Sequence, residues 1–488
     1  MENMKQKTFA GALWKFCERF LAQGVSLAVS ILLARLLDPA DYSTVSIVTI
    51  FFTFANVFIT GGLNSALIQK KNADSKDYST VLFISLIISI GCYAALFFSA
   101  PAIANLYSQP ILKIMIRVMG LSLPINAIKS VWCAYISSTL QFKKFFFATL
   151  GGTLVSAAVG IVMAMKGMGA WALVAQQMTN IVIDTVLLIV TTRLHLVFGI
   201  SLSRLKVLFK YGWKVFVSSI ISTTYAEISP LVIGLKFTAN DLSFYTKGKS
   251  FPRFISNASN STLSAVLFPV LSKYQDDKEK LLGYTRRYVQ LASFVAFPLM
   301  LGFLAVADNF VLALLTEKWM GAVYYIQLYC IVFMFDVIAI GNCETIKALG
   351  RSDVYLIMEI IKKSGYFVSL LLFVLFAKSP EILAISSIVN TLIQIIVNTI
   401  PNQRLIGYKL RYQIWDLLPN LLISLAMAAG VYCIKFLPLN PWLELAIQIV
   451  AGISLYVGLC FITRNKNLKY LFRALRELFS RRKKNEKA

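Results

Sequence analysis

Negative charge is thin in this chain. Its 488 residues hold 23 Asp and Glu against 48 Lys and Arg, and charged residues of both signs make up only 15%. A soluble domain of this length carries roughly a quarter charged residues to cover its surface. With 58% hydrophobic residues and a mean hydropathy of +0.70, a soluble globular fold is excluded. Histidine occurs once, at His195 in a connecting loop, so imidazole catalysis and His-based metal ligation are not expected. Seven cysteines, at 17, 92, 133, 330, 343, 433 and 460, fall almost wholly in apolar stretches without CxxC or Cys/His spacing. They read as small packing residues, with no metal site and no disulfide framework. No glycine-rich phosphate motif is present, which excludes an ATPase, and no cofactor is expected. The first apolar run contains Glu18 and Arg19 and lacks a small-residue cleavage site, so a cleaved signal peptide is not expected.

What is present is a succession of membrane-length apolar runs, each needing ~20 mostly apolar residues. They are placed at about 11–37, 42–66, 78–100, 111–137, 145–165, 168–192, 211–235, 241–271, 283–306, 321–346, 352–376, 380–401, 415–436 and 441–462. The expected fold is an all-α polytopic membrane protein of about fourteen transmembrane helices. Alternate loops differ sharply in cations. With charges at span ends counted in the adjoining loop, the set containing both termini holds about 32 Lys and Arg and the other about 9. Positive charge marks the cytoplasmic side, so both termini are expected in the cytoplasm of a bacterial cell membrane. The basic tail 464–488 reads as an orientation signal touching anionic lipid. The net charge of +25 therefore points to the membrane surface rather than to nucleic acid. The longest external loop, Ala307 to Met320, is too short for a catalytic domain, so a transporter is expected rather than an enzyme.

Two stretches echo each other. Trp14-Lys15 precedes a polar-dotted helix that ends in Leu33-Ala34-Arg35-Leu36-Leu37-Asp38-Pro39-Ala40-Asp41-Tyr42. Trp213-Lys214 precedes another that ends in Gly234-Leu235-Lys236-Phe237-Thr238-Ala239-Asn240-Asp241-Leu242. Six spans separate the copies, which preserves orientation and predicts two parallel six-helix lobes. The expected division is 1–200, 201–413, a helix pair at 414–463 and the tail 464–488.

Polar residues at helical spacing mark the faces expected to line a hydrated cavity between the lobes. Span one carries Arg19, Gln23, Ser26 and Ser30; span two carries Thr49, Thr53, Asn56, Thr60 and Asn64. Span seven carries Lys214, Ser218, Ser222, Tyr225 and Ser229; span eight carries Lys249, Arg253, Asn257, Asn260 and Ser264. The competing reading is hydrogen-bonded glue between helices. An ion inside the membrane is costly and therefore faces water, a partner or a substrate. Arg19 and Arg253 each join a polar stripe, and two such cations suit a pyrophosphate or an acidic sugar. A structural ion pair is the alternative for each. Lys129 is a further cavity candidate. Asp336, Glu344 and Glu359 are candidates for ion coupling, and Glu359 with Lys363 is expected to pair along one helix.

The chain resembles the Wzx-type, colanic-acid exporter-like polysaccharide flippases of the multidrug/oligosaccharidyl-lipid/polysaccharide exporter superfamily. The resembling residues are Leu33 to Tyr42, Gly61-Gly62-Leu63-Asn64-Ser65-Ala66-Leu67-Ile68-Gln69-Lys70-Lys71, Leu267 to Asp277, Glu317-Lys318-Trp319 and Ala348-Leu349-Gly350-Arg351. The chain departs at Gly62, where relatives often carry an acidic or aromatic residue, and at Ser43, which replaces a frequent Gly. The resemblance implies two six-helix lobes plus two extra C-terminal helices near 415–462, a pair less polar in sequence than the stripes above, and a cationic cavity to which Arg19, Lys129 and Arg253 would contribute. It implies movement of undecaprenyl-pyrophosphate-linked oligosaccharides to the outer leaflet by alternating access. Partners implied are the lipid-linked substrate, membrane lipids, a polysaccharide polymerase and glycosyltransferases. A cation-coupled drug or metabolite exporter shares the architecture and would need carboxylates to dominate the cavity. A membrane enzyme of polysaccharide assembly would need an external loop with catalytic acids.

Overall fold

The computed structural model describes residues 21, 24–70, 73–192, 194–197 and 199–470. Among them there is no strand. The helices, in order, are Gly24–Leu36 (α1), Pro39–Thr60 (α2), Leu63–Gln69 (α3), Ser75–Leu106 (α4), Ile111–Gly120 (α5), Ser122–Ser138 (α6), Phe142–Met165 (α7), Ala170–Thr191 (α8) and Leu202–Lys236 (α9). Then follow Ala239–Lys273 (α10), Lys278–Phe310 (α11), Ala322–Met334 (α12), Asp336–Ala348 (α13), Ser352–Phe376 (α14), Pro380–Leu405 (α15), Leu410–Cys433 (α16) and Pro441–Ile462 (α17). The chain forms two compact units, Met1–Ser243 and Phe244–Ala488.

Among the described residues eleven helical segments are long and apolar enough to cross a membrane: α2, α4, α5 with α6, α7, α8, α9, α11, α12 with α13, α15, α16 and α17. The three further spans expected from sequence coincide with α1, α10 and α14. Among the described residues α1 is short, while α10 and α14 are long but carry polar or charged side chains along their length. Large apolar side chains are exposed along the spans, Phe98 and Ile462 each at 79%. Such surface is stable only against lipid tails.

The sequence echo has a local cause. Pro39 occupies the first position of α2, where its missing N–H would have no partner anyway. The Asp41 carboxylate accepts the Asp38 backbone N–H at 3.1 Å. At the start of α10, Asp241 accepts the Thr238 backbone N–H at 3.0 Å and its hydroxyl at 2.7 Å. Each Asp reaches back to the residue that caps its helix and satisfies a donor the helix leaves open.

Within the first unit, α7 packs along α8, while α9 lies against α2 and α3. The α5–α6 span breaks at Leu121 because the Pro124 ring cannot share a regular helix with the carbonyl four residues earlier, at Gly120. Lipid supplies no hydrophobic drive between helices, so close approach rests on small residues. Gly62 and Gly212 meet backbone to backbone: a Cβ on Gly62 would lie 2.3 Å from the Gly212 carbonyl oxygen. That contact accounts for the absence of a side chain at 62.

Within the second unit, α11 holds both C-terminal helices through polar contacts. Arg286 donates from Nε to Asp416 Oδ2 at 2.8 Å and from Nη2 to Oδ1 at 2.7 Å. Gln290 donates to the same carboxylate at 2.8 Å and the Tyr408 hydroxyl at 2.9 Å. One turn on, Asn420 donates to the Gln290 carbonyl at 2.9 Å and to Ser293 Oγ at 2.8 Å. Gln413 and Asn342 exchange amide hydrogen bonds at 3.1 and 3.4 Å. On α17, the Tyr456 hydroxyl donates to the Phe294 carbonyl at 2.7 Å, and Gln448 accepts from Asn309 at 3.0 Å. α16 therefore carries a buried polar face, Gln413, Asp416, Asn420 and Ser424. Its polar side chains are helix–helix glue.

Candidate functional site

In the first unit α6, α7 and α8 line an open cavity of about 550 Å³, most of whose side chains are polar. The cavity follows from spacing. On α8, Gln176, Gln177, Asn180 and Asp184 recur every three or four residues and so share one helix face. On α7, Thr149, Thr153 and Ser156 do the same. Ser26 of the first stripe also lines it. Lys129 of α6 reaches across and donates to Asp184 Oδ2 at 2.7 Å. Asp184 is 4% exposed and Lys129 21%. The ammonium and carboxylate cancel, and what remains toward the cavity is a set of amides and hydroxyls. The carboxylate fits only because α7 has no side chain at Gly152, where a Cβ would overlap Asp184 Oδ1. Asn180 donates to Ser156 Oγ at 3.4 Å and ties the two polar faces together.

The other expected site residues of this unit lie apart from the cavity. Asn56 accepts a hydrogen bond from Asn126, which joins α2 to α6. Lys214 is exposed on α9, with no ion pair among the described residues. Arg19 and Gln23 lie outside the described residues.

In the second unit α10 carries Lys249, Arg253, Asn257 and Asn260. Lys249 stands 5.5 Å from the Tyr245 ring and 5.3 Å from the Tyr329 ring, a cation–π arrangement. The Tyr329 hydroxyl donates to that of Tyr245 at 2.7 Å. One turn on, Arg253 and Asn257 are exposed. Asn260 donates to Ser256 Oγ at 2.9 Å, and the Ser256 hydroxyl donates to Asp336 Oδ2 at 2.9 Å. Asp336 opens α13, just past a break in the span at Phe335, and Arg253 acts on its carboxylate electrostatically. Asn260, Ser256 and Asp336 thus form one hydrogen-bonded chain, with Ser256 one turn along α10 from Arg253. Glu344 is held by Lys347 of its own helix at 2.9 Å. Glu359 lies against Lys362 and 3.9 Å from Lys363, along one helix as its spacing predicts.

Sequence reasoning missed Gln176, Gln177, Asn180 and Ser256. Gln176 and Asn180 stand four residues apart in span 168–192, a helical spacing legible in the sequence, whereas Ser256 stands between the stripe residues Arg253 and Asn257 and shows no signal of its own. Among the described residues no group of His, Cys, Asp and Glu is arranged to hold a metal.

The sequence profile of the polysaccharide biosynthesis protein family matches residues 32–324, more than half of the chain. The chain belongs to that family. Among curated proteins it is 22% identical to the lipopolysaccharide biosynthesis protein WzxC of Escherichia coli K12 over 74% of each chain. It is also 22% identical to the teichuronic acid biosynthesis protein TuaB of Bacillus subtilis 168, over 72% of this chain and 74% of TuaB. The fold is similar to that of the lipid II flippase MurJ, whose matched structure is an inward closed conformation, with a TM-score of 0.76 at 15% identity over 94% of this chain and 99% of that one. An inward-facing multidrug resistance transporter of the MATE family matches with a TM-score of 0.60 at 14% identity, over 78% of this chain and 94% of that one. The family is thus one of multi-pass membrane proteins of polysaccharide biosynthesis, on a fold shared with transporters.

Proposed function

We propose that this protein carries undecaprenyl-pyrophosphate-linked oligosaccharide units from the cytoplasmic to the outer leaflet of a bacterial cell membrane, by alternating access, for surface polysaccharide assembly. The observation that carries the reading is the α6–α8 cavity, an open, water-compatible recess lined mostly by amide and hydroxyl side chains, among helices whose outer faces are apolar. Amides and hydroxyls recognise sugar hydroxyls, whereas a cavity for lipophilic drugs is lined mainly by apolar and aromatic groups. The relatives that share most of the chain are polysaccharide biosynthesis proteins, named for lipopolysaccharide and teichuronic acid.

The step is physically coherent. The polyprenyl tail stays in lipid while the polar head crosses. An anionic head moving outward descends an inside-negative potential by ~2.3 kcal/mol per charge per 100 mV. Arg253 and Lys249 on α10 are the groups proposed to meet the pyrophosphate, with Asn257 and Asn260 beside them. Lys129 and its cavity would meet the sugars. Asp336, beside Arg253, is the carboxylate proposed to couple an ion. Two six-helix lobes with a C-terminal pair, and both termini in the cytoplasm, complete the proposal, as does work alongside a polymerase and glycosyltransferases.

The deciding experiment is translocation in proteoliposomes. A lipid-linked oligosaccharide with a fluorescent sugar is placed in both leaflets, and a membrane-impermeant quencher reports exchange between them. Vesicles with the protein should lose nearly all fluorescence with time, and empty vesicles about half. Equal quenching in both, with a reconstituted and monodisperse protein, would refute the proposal. Export of cationic dyes by the same vesicles would favour the drug-exporter alternative.

A further inference from the structure

A second cavity, of about 470 Å³, opens in the second unit where α16 begins and α17 ends. Its walls are Trp415, Pro419 and Leu422 on one side and Arg464 and Lys466 on the other, with Asp416 and Gln290 at its base. We propose that this cavity is a binding site for a phospholipid with a net anionic headgroup, of the phosphatidylglycerol type. The proposal does not depend on what the protein transports.

The polar wall is a built platform. After α17 the chain turns at Arg464, whose φ of +49° is in the left-handed region that non-glycine residues rarely enter. Such a conformation persists only where its surroundings impose it. Here Asn465 and Asn467 impose it. Both are buried, and both donate to Asn420 Oδ1 of α16 at 3.3 Å. The Asn467 backbone N–H donates to Asn465 Oδ1 at 2.8 Å, and Arg287 of α11 donates to Asn467 Oδ1 at 3.0 Å. With 465 and 467 pinned inward, Arg464 and Lys466 are left exposed on the cavity side. Neither makes an ion pair among the described residues.

The only carboxylate in the cavity does not oppose an anion. Both Asp416 oxygens are filled, by the Arg286 fork, Gln290 and Tyr408, and the Arg286 charge cancels its own. A phosphate entering here meets two uncompensated cations. A zwitterionic headgroup would also bring an ammonium, for which no open acceptor carboxylate remains. The opposite wall sets the rest of the ligand. Trp415 is 61% exposed and Leu422 57%, on a surface that meets lipid. A tryptophan there suits the level of headgroups, and its neighbours suit an acyl chain. A cationic shelf facing an apolar wall fits an anionic amphiphile.

The test uses the full chain in detergent micelles and native mass spectrometry with added phosphatidylglycerol or phosphatidylcholine. Phosphatidylglycerol should be retained in preference to phosphatidylcholine. The double variant Arg464→Gln/Lys466→Gln should bind it roughly thirtyfold more weakly, as expected for two interfacial cations. Lys469→Gln, a charge change outside the cavity, should leave retention intact, and so serves as the folding and net-charge control. Trp415→Ala should weaken phosphatidylglycerol without favouring phosphatidylcholine. Equal retention of both lipids, or unchanged retention in the double variant, would overturn the proposal. Displacement of the lipid by millimolar inorganic phosphate would overturn it as well, in favour of a soluble phosphate.

Discussion

Arg286 on α11 grips Asp416 on α16 with two parallel hydrogen bonds, at 2.8 and 2.7 Å, across a separation of 130 residues in the chain. The Asp416 side chain is buried at 4% exposure, while the Arg286 side chain keeps 41%. Removing one partner of a buried pair costs ~3–5 kcal/mol because the other is left uncompensated. Arg286 retains solvent, so its charge is the cheaper of the two to leave unpaired. Arg286→Ala strands the buried carboxylate and is expected to destabilise the protein by about 3 kcal/mol. Asp416→Ala leaves an arginine that can turn to water, but it also strips the Gln290 amide and the buried Tyr408 hydroxyl of their acceptor, and is expected to cost at least as much. Thermal unfolding in detergent, followed by tryptophan fluorescence, checks both losses. Unchanged stability in either variant would mean that the clamp is not what secures α16.

The Lys129–Asp184 pair makes a separate prediction. Each single change, Lys129→Met or Asp184→Leu, should lower both stability and transport. The double variant should recover part of the stability, with a coupling of about 1–3 kcal/mol in the double-mutant cycle. Transport should stay low if the cavity needs Lys129 for the substrate as well as for Asp184. Full recovery of transport in the double variant would make the pair purely structural.

Loss of the Arg253 charge should stop transport. Arg253→Ala should abolish surface polysaccharide at normal protein abundance, and Arg253→Lys should keep part of it if charge rather than the bidentate fork matters. Asn257, exposed one turn away, gives an independent reading of the same face. In a background without the seven native cysteines, Asn257→Cys should react with a small water-soluble thiol reagent. Normal polymer in the alanine variant would move the phosphate-gripping role away from α10.

Membrane orientation is checked with fusions. The cation asymmetry of the loops predicts a fluorescent green reporter and an inactive phosphatase after Ala488. Strong phosphatase activity there would reverse the assignment.

The parts of this fold that could be read in the sequence are those governed by neighbours within a turn or two. The caps at Asp41 and Asp241 are written in the residues beside them, as is the Glu359 pairing along α14. On α10, Arg253 and Asn257 are both exposed, one turn apart as their spacing requires. The polar face of α16 was not legible in the same way. Asp416 and Asn420 look like scattered polar residues in an apolar run, because Arg286, Gln290 and Ser293, which explain them, lie about 130 residues earlier. The neutrality of the α6–α8 cavity was hidden for the same reason: Lys129 shows as a lone cation until Asp184 is brought to it, 55 residues on. Arg19 and Gln23 fall outside the described residues, so their stripe is represented in the cavity by Ser26 alone.

Gly62 and Gly212 share one small volume, with no side chain on either to separate them. Two positions in that relation cannot diverge independently. A descendant that gains a bulky residue at 62 must let α9 stand off from the α2–α3 turn, and residue 212 then faces a gap that favours a larger side chain in turn. The pair should therefore be inherited as one character, small with small or large with large, and mixed combinations should be rare among close kin of this chain. Relatives with an acidic or aromatic residue at the position of Gly62 would stand on the other side of that divide, with α9 seated farther out.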